Sequence, residues 1–171
     1  MKRVWLFLIA LVVAVGCSTV KTTADYDPST NFASYKTWSW KETEKMDSLW
    51  SKRIQSALQT ELAKKGLTQV DSGGDLLVVA HVRLSQETQI TSYNTGWGYG
   101  WRRGGVGMST ASVQQVPVGT LIVDLVDVKK NELAWRGTAS DTLNPEKSPE
   151  KKEKALSEAI AKMFEDYPPK G

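Results

Sequence analysis

Few residues in this chain have the type and spacing to do chemistry. Cys17 is the single cysteine among 171 residues, so no internal disulfide is possible, and its thiolate is a nucleophile suited to forming a stable thioether. His81 is the single histidine. It sits in an apolar run with no H-x-x-x-H and no second sulfur ligand, and reads as a structural or surface residue. Asp124 and Asp127 lie three apart in a strand-like run, so alternation sends them to opposite faces and they do not form a carboxylate pair. Asp124 is instead expected to meet Arg136 across a hairpin. No G-x-S-x-G, phosphate-binding loop or calcium loop is present. The remaining candidate is residues 93–107, YNTGWGYGWRRGGVG, in which glycines alternate with Trp97, Tyr99, Trp101, Arg102 and Arg103. No helix follows to hold a phosphate. Glycine loosens the backbone, while Trp, Tyr and Arg are the side chains richest in interface energy. This segment is the candidate interaction loop, and its expected partner is an envelope protein, a glycan or a lipid headgroup.

The setting of Cys17 sharpens its role. Lys2 and Arg3 precede an unbroken apolar run, Val4–Val15, that ends in Ala14-Val15-Gly16-Cys17. As a helix the run spans about 18 Å, short of the roughly 30 Å hydrocarbon core, so it reads as the apolar region of an export signal. Ala14-Val15-Gly16-Cys17 resembles the lipobox of bacterial lipoproteins. The resemblance implies removal of residues 1–16 and lipidation of Cys17, and Ser18 at the next position implies the outer membrane, facing the periplasm. Two or three acyl chains, at about 0.8 kcal/mol per methylene, make such an anchor long-lived.

Composition adds limits. The formal charge is +3, from 22 basic and 19 acidic residues; without Lys2 and Arg3 the balance is near neutral. The pI near 8.9 therefore does not imply a nucleic-acid partner. No cofactor or metal is expected.

Residues 17–24 read as the lipidated cysteine and a flexible tether, and 25–171 as one α+β domain. Tyr35–Trp40 alternates aromatic and polar residues and predicts a strand. Asp47 or Ser48 caps a helix carrying Trp50, Ile54, Leu58 and Leu62 on one face, with Gly66 as its stop. Leu67–Val70 reads as a short strand and Asp71–Gly74 as a turn. A long strand opens at Asp75, apolar on both faces to Ala80 and alternating beyond. Gly119–Val128 and Glu132–Thr142 form a hairpin around Lys129-Lys130-Asn131. Ser148-Pro149 opens a second helix with Leu156, Ile160, Met163 and Phe164 on its apolar face, ended by Pro168-Pro169. The expected fold is a mainly antiparallel sheet of about five strands with two helices on one face.

The order of a lipobox, Asp25-Tyr26-Asp27-Pro28, Tyr35-Lys36-Thr37-Trp38-Ser39-Trp40, a Gly/aromatic insertion, and the hairpin Leu121–Asp127 to Leu133–Gly137 resembles the DUF4136 family of bacterial envelope lipoproteins. The resemblance implies an exported domain of unknown function and carries no catalytic residue. The expected activity is non-catalytic: a membrane-anchored binding or structural module. The alternatives are an accessory subunit of an envelope assembly or transport complex, and a periplasmic hydrolase. The hydrolase would need a nucleophile–base or metal cluster that the inventory does not offer.

Overall fold

Trp50, Ile54, Leu58 and Leu62 line one face of helix α1 (Ser48–Lys64), as their spacing predicts. The Asp47 carboxylate caps it by accepting from the amides of Leu49 and Trp50, and Gly66, at φ +83°, ends it. Helix α2 (Pro149–Met163) is capped by Ser148 with proline at its first turn. The computed structural model describes residues 20–43, 46–93 and 110–169. Cys17, Ser18, Trp97, Tyr99, Trp101, Arg102 and Arg103 lie outside the described residues.

Six strands form one sheet: β1 (Lys21–Tyr26), β2 (Thr37–Lys41), β3 (Thr68–Val70), β4 (Leu76–Tyr93), β5 (Thr110–Asp127) and β6 (Glu132–Thr142), in the order β1-β6-β5-β4-β2-β3. The α+β class holds, with two corrections. First, the sheet is mixed, because β2 runs parallel to both β3 and β4. Helix α1 returns the chain to the start of the sheet, so β2-α1-β3 is a parallel crossover unit. Second, residues 20–24, expected as part of a flexible tether, begin the fold. Val20 is buried, its carbonyl accepts a hydrogen bond from Lys162 Nζ at 2.7 Å, and Lys21–Tyr26 pairs antiparallel with β6. Backbone pairing orders this polar segment without any apolar alternation.

β3 and β4 flank β2 on opposite sides, yet only residues 71–75 join them. The expected turn is therefore a passage across β2. Gly74 marks the crossing: a Cβ there would stand 2.6 Å from the Trp38 carbonyl carbon and 2.7 Å from the Ser39 nitrogen. Asp75 closes the passage by accepting from the amides of Lys36 and Thr37 and from the Thr37 hydroxyl.

The core lies between one sheet face and the helices. Trp38, Leu76, Val78, Val123, Leu125 and Trp135 meet Ile54, Leu58, Leu62, Ile160 and Phe164 there. Leu125 faces Trp135 while Val126 faces Leu133, so Ala134 is an extra residue, a β-bulge that turns Ala134 and Trp135 inward in succession. Trp135 stacks on Phe164 at 4.5 Å, and Tyr167 packs edge-on against both.

β4 and β5 each run 18 residues and outreach their neighbours. β2 pairs with β4 as far as Val79, and β6 pairs with β5 as far as Val118. Beyond the pair Ser85–Val118, β4 and β5 continue as a two-stranded arm to the pair Tyr93–Thr110. The arm ends at residues 93 and 110, between which the candidate loop lies in the sequence.

Candidate functional site

The arm is the most unusual surface in the fold. Every residue from His81 to Gln89 is exposed. Three apolar side chains stand in water there, Val82 at 48%, Leu84 at 71% and Val113 at 66% exposure. Val82 and Leu84 stand at the edge of the sheet, where β4 has outrun β2, and Val113 stands on the two-stranded part of the arm, where a ribbon cannot bury both faces. The Thr43 hydroxyl bonds to the Ala80 carbonyl at 2.9 Å, which fixes that carbonyl as pointing away from β5. By alternation the backbone groups of Val82, Leu84 and Gln86 point to the same open edge.

The helix-free face of the sheet carries the polar residues. Asp124 and Arg136 face each other directly across β5 and β6. They form the expected ion pair, bidentate, with Nε–Oδ1 at 2.6 Å and Nη2–Oδ2 at 2.7 Å. The Asp124 carboxylate holds the guanidinium above its ordinary value. Next to this pair, His81 is exposed opposite Ile122. Thr23 and Thr138 share a hydroxyl hydrogen bond along the same face.

Asp127 lies on the core face at the strand end, opposite in sense to Asp124 as alternation requires. It accepts from the amides of Lys129 and Lys130 and from the Tyr35 hydroxyl at 2.8 Å. The Lys130 amide and then the Tyr35 hydroxyl hold its carboxyl below the usual carboxylate range. Burial and the Asp127 charge push the Tyr35 phenol up. Asp75 is likewise lowered, first by the Lys36 amide and then by Thr37. These carboxylates tie loops to strand ends. Sequence reading assigned no role to Asp75 or Tyr35; the signal for each was a polar residue beside a turn.

A shallow depression of about 470 Å³ lies between α1 and β3, lined by Lys52, Gln55, Ser56, Gln59, Gln69 and Asp71. A cleft of about 90 Å³ separates β1 from α2. Among the described residues, no three His, Cys, Asp or Glu side chains gather at metal-binding distance, and no helix is long and apolar enough to cross a membrane.

The fold is similar to solved structures of low sequence identity. A PDZ domain protein from Parabacteroides distasonis matches with a TM-score of 0.58 and 17% identity, over 89% of this chain and 36% of that one. This chain thus spans about a third of that protein's length. A chain of the PelC dodecamer from Paraburkholderia phytofirmans matches with a TM-score of 0.51 and 13% identity, over 85% of this chain and 94% of that one. No curated protein matches this sequence. Residues 22–169 match the family model described as a domain of unknown function, DUF4136, and the chain belongs to that family.

Proposed function

We propose that this protein is a lipid-anchored domain of the bacterial envelope that acts by binding rather than by catalysis, with its β4–β5 arm lying along the membrane surface. The observation that carries this reading is the shared end of the sheet. Lys21 opposes Ser140, Ser140 opposes Thr120, and Thr120 opposes Arg83. The chain therefore leaves β1 toward Cys17 at the same end from which the arm projects. Only residues 18 and 19 separate Cys17 from the fastened Val20, a reach of about 10 Å. From Arg83 to Tyr93 the arm extends about 33 Å. An arm that long, directed toward a membrane held that close, fits only by lying along the surface.

Residues 97–103 then suit the headgroup layer. Trp and Tyr settle at membrane–water boundaries, and Arg102 and Arg103 each add about 1 kcal/mol toward anionic lipid. Two measurements test the reading. Cys17→Ala is expected to abolish uptake of labelled fatty acid; continued uptake overturns the anchor. Photo-crosslinking probes at Trp97 and Trp101 in intact cells are expected to capture lipid. A discrete protein or glycan band would change the ligand but keep the loop as a binding element. No adduct from a folded, lipidated protein would remove that role.

A second reading, an accessory subunit of an envelope assembly, is favoured by the open strand edges of the arm. The fold shared with a chain that forms a dodecamer is in keeping with it.

A further inference from the structure

We infer that copies of this chain join head to tail, the open edge of β4 in one copy pairing antiparallel with the β1 edge of the next, so that Arg83 meets Asp25 and Glu87 meets Lys21. The inference does not depend on the lipid anchor.

The two edges match in charge, apolar content and hydrogen-bond phase. β1 is the outer strand of the sheet and pairs only with β6 among the described strands. It presents Lys21 and Asp25, four residues apart. β4 presents Arg83 and Glu87, also four apart and opposite in order. Antiparallel pairing with Arg83 on Asp25 therefore sets Glu87 on Lys21 in the same register. The same register sets Val82, 48% exposed, beside Tyr26, 40% exposed, and Leu84, 71% exposed, beside Ala24. Aromatic–β-branched neighbours and opposite charges are the cross-strand pairs that stabilise sheets.

The backbone phase agrees. The Ala80 carbonyl accepts from Thr43 on the open side, so Val82, Leu84 and Gln86 direct their amides and carbonyls outward. On β1, the Asp27 amide donates to the Ala134 carbonyl of β6, so by alternation Thr22, Ala24 and Tyr26 direct theirs outward; the Tyr26 amide donates there to the Asp25 carboxylate at 2.9 Å, a bond that pairing would exchange for one to Val82. The register pairs outward-facing residues with outward-facing residues. It leaves Arg83–Asp25, Ser85–Thr23 and Glu87–Lys21 as the closer, non-hydrogen-bonded pairs. Faces agree too: Arg83 opposes Thr120, and Asp25 opposes Arg136, all on the helix-free side.

The β4 edge of the arm suits such pairing better than the β5 edge. Pro117 lacks an amide, and its carbonyl already accepts from Leu143 on the outer side of β5. β4 has neither proline nor lysine from Leu76 to Tyr93, the residues that usually blunt an edge. Because the two pairing edges differ, the contact is heterologous and closes into a ring or continues as a filament.

The test uses the full chain in detergent, at less than one chain per micelle. Thr23→Cys with Ser85→Cys is expected to give a disulfide-linked ladder under mild oxidation, since a non-hydrogen-bonded pair brings Cα atoms to about 4.5 Å. Neither single cysteine variant should exceed wild type. Arg83→Asp alone and Asp25→Arg alone should each weaken self-association about tenfold by sedimentation. The double reversal, or an equimolar mixture of the two singles, should restore it. If the cysteine pair misfolds, the charge series decides alone. A wild-type chain that stays monomeric at the highest soluble concentration overturns the inference. So does a disulfide-linked dimer formed as readily from Ser85→Cys alone, or a double reversal that fails to rescue.

Discussion

Gly74 occupies a position where any side chain meets main chain. Its missing Cβ would press on the Trp38 and Ser39 backbone at 2.6–2.7 Å, and a backbone inside a sheet cannot rotate aside as a side chain can. Gly74→Ala is therefore expected to cost about 3 kcal/mol in denaturant unfolding; a cost under about 1 kcal/mol would mean that the 71–75 passage is free to shift. The Asp124–Arg136 pair sets a smaller scale. Arg136 is half exposed at 49% while Asp124 is at 10%, so water screens one partner and not the other. Asp124→Ala and Arg136→Ala should each cost about 1–2 kcal/mol, with a coupling energy near 1 kcal/mol in the double-mutant cycle. Additive effects would show that the bidentate geometry contributes no coupling. This pair was expected from sequence as a contact across the hairpin, but the turn alone does not set it: the Asp127–Glu132 register would place Asp124 opposite Trp135, and the extra residue Ala134 moves Asp124 opposite Arg136. Gly74 was not legible from sequence, since nothing local distinguishes a turn glycine from a crossing glycine.

At the scale of elements, the three acceptor carboxylates join turns to strands. Asp27 is held below the usual carboxylate range chiefly by the Ser29 amide, Asp75 by the Lys36 amide, and Asp127 by the Lys130 amide. Each folded-state value lies below the unfolded one, near 3.9. Their contribution is therefore complete above about pH 5 and is lost as pH falls through the unfolded value toward the folded ones. Thermal stability should be flat in these groups from pH 8 to 5 and drop below about pH 4. Asp127→Asn should lower stability at pH 7 and make the acid limb shallower; an unchanged acid limb would remove Asp127 as a titrating contributor. The elements themselves were legible to the extent that their patterns are local. The α1 stripe and cap, the α2 proline start and the β5–β6 hairpin all follow from periodicity and turn chemistry. β1 escaped because Lys21–Tyr26 shows no apolar alternation and is held by backbone pairing with β6. The direction of β2 escaped because strand polarity is set by where α1 returns the chain. The β6 bulge escaped because Ala134-Trp135 breaks the period of two that strands otherwise keep.

At the scale of the whole molecule, the buried core and the exposed arm occupy different ends. The buried cluster draws its sheet residues from Trp38, from Leu76–Ala80, from Leu121–Leu125 and from Ala134–Ala139. Residues 81–89 are exposed. Replacing residues 94–109 by Asn-Gly closes the register at Tyr93–Thr110 with a two-residue turn suited to antiparallel strands. Since no residue of the core cluster is removed, the melting temperature should stay within about 2 °C of wild type. Binding should not survive as well. In a Cys17→Ala background, which removes the proposed lipidation site, the shortened protein loses Trp97, Tyr99, Trp101, Arg102 and Arg103 together. At about 1 kcal/mol for each arginine near an anionic surface, its affinity for phosphatidylglycerol-containing vesicles should fall at least about tenfold by co-sedimentation. Equal binding with an unchanged melting temperature would transfer the membrane contact to the sheet body. A melting temperature lowered by more than about 5 °C would instead make residues 94–109 part of what holds the fold together, and the separation between a rigid body and a binding tip would fall with it.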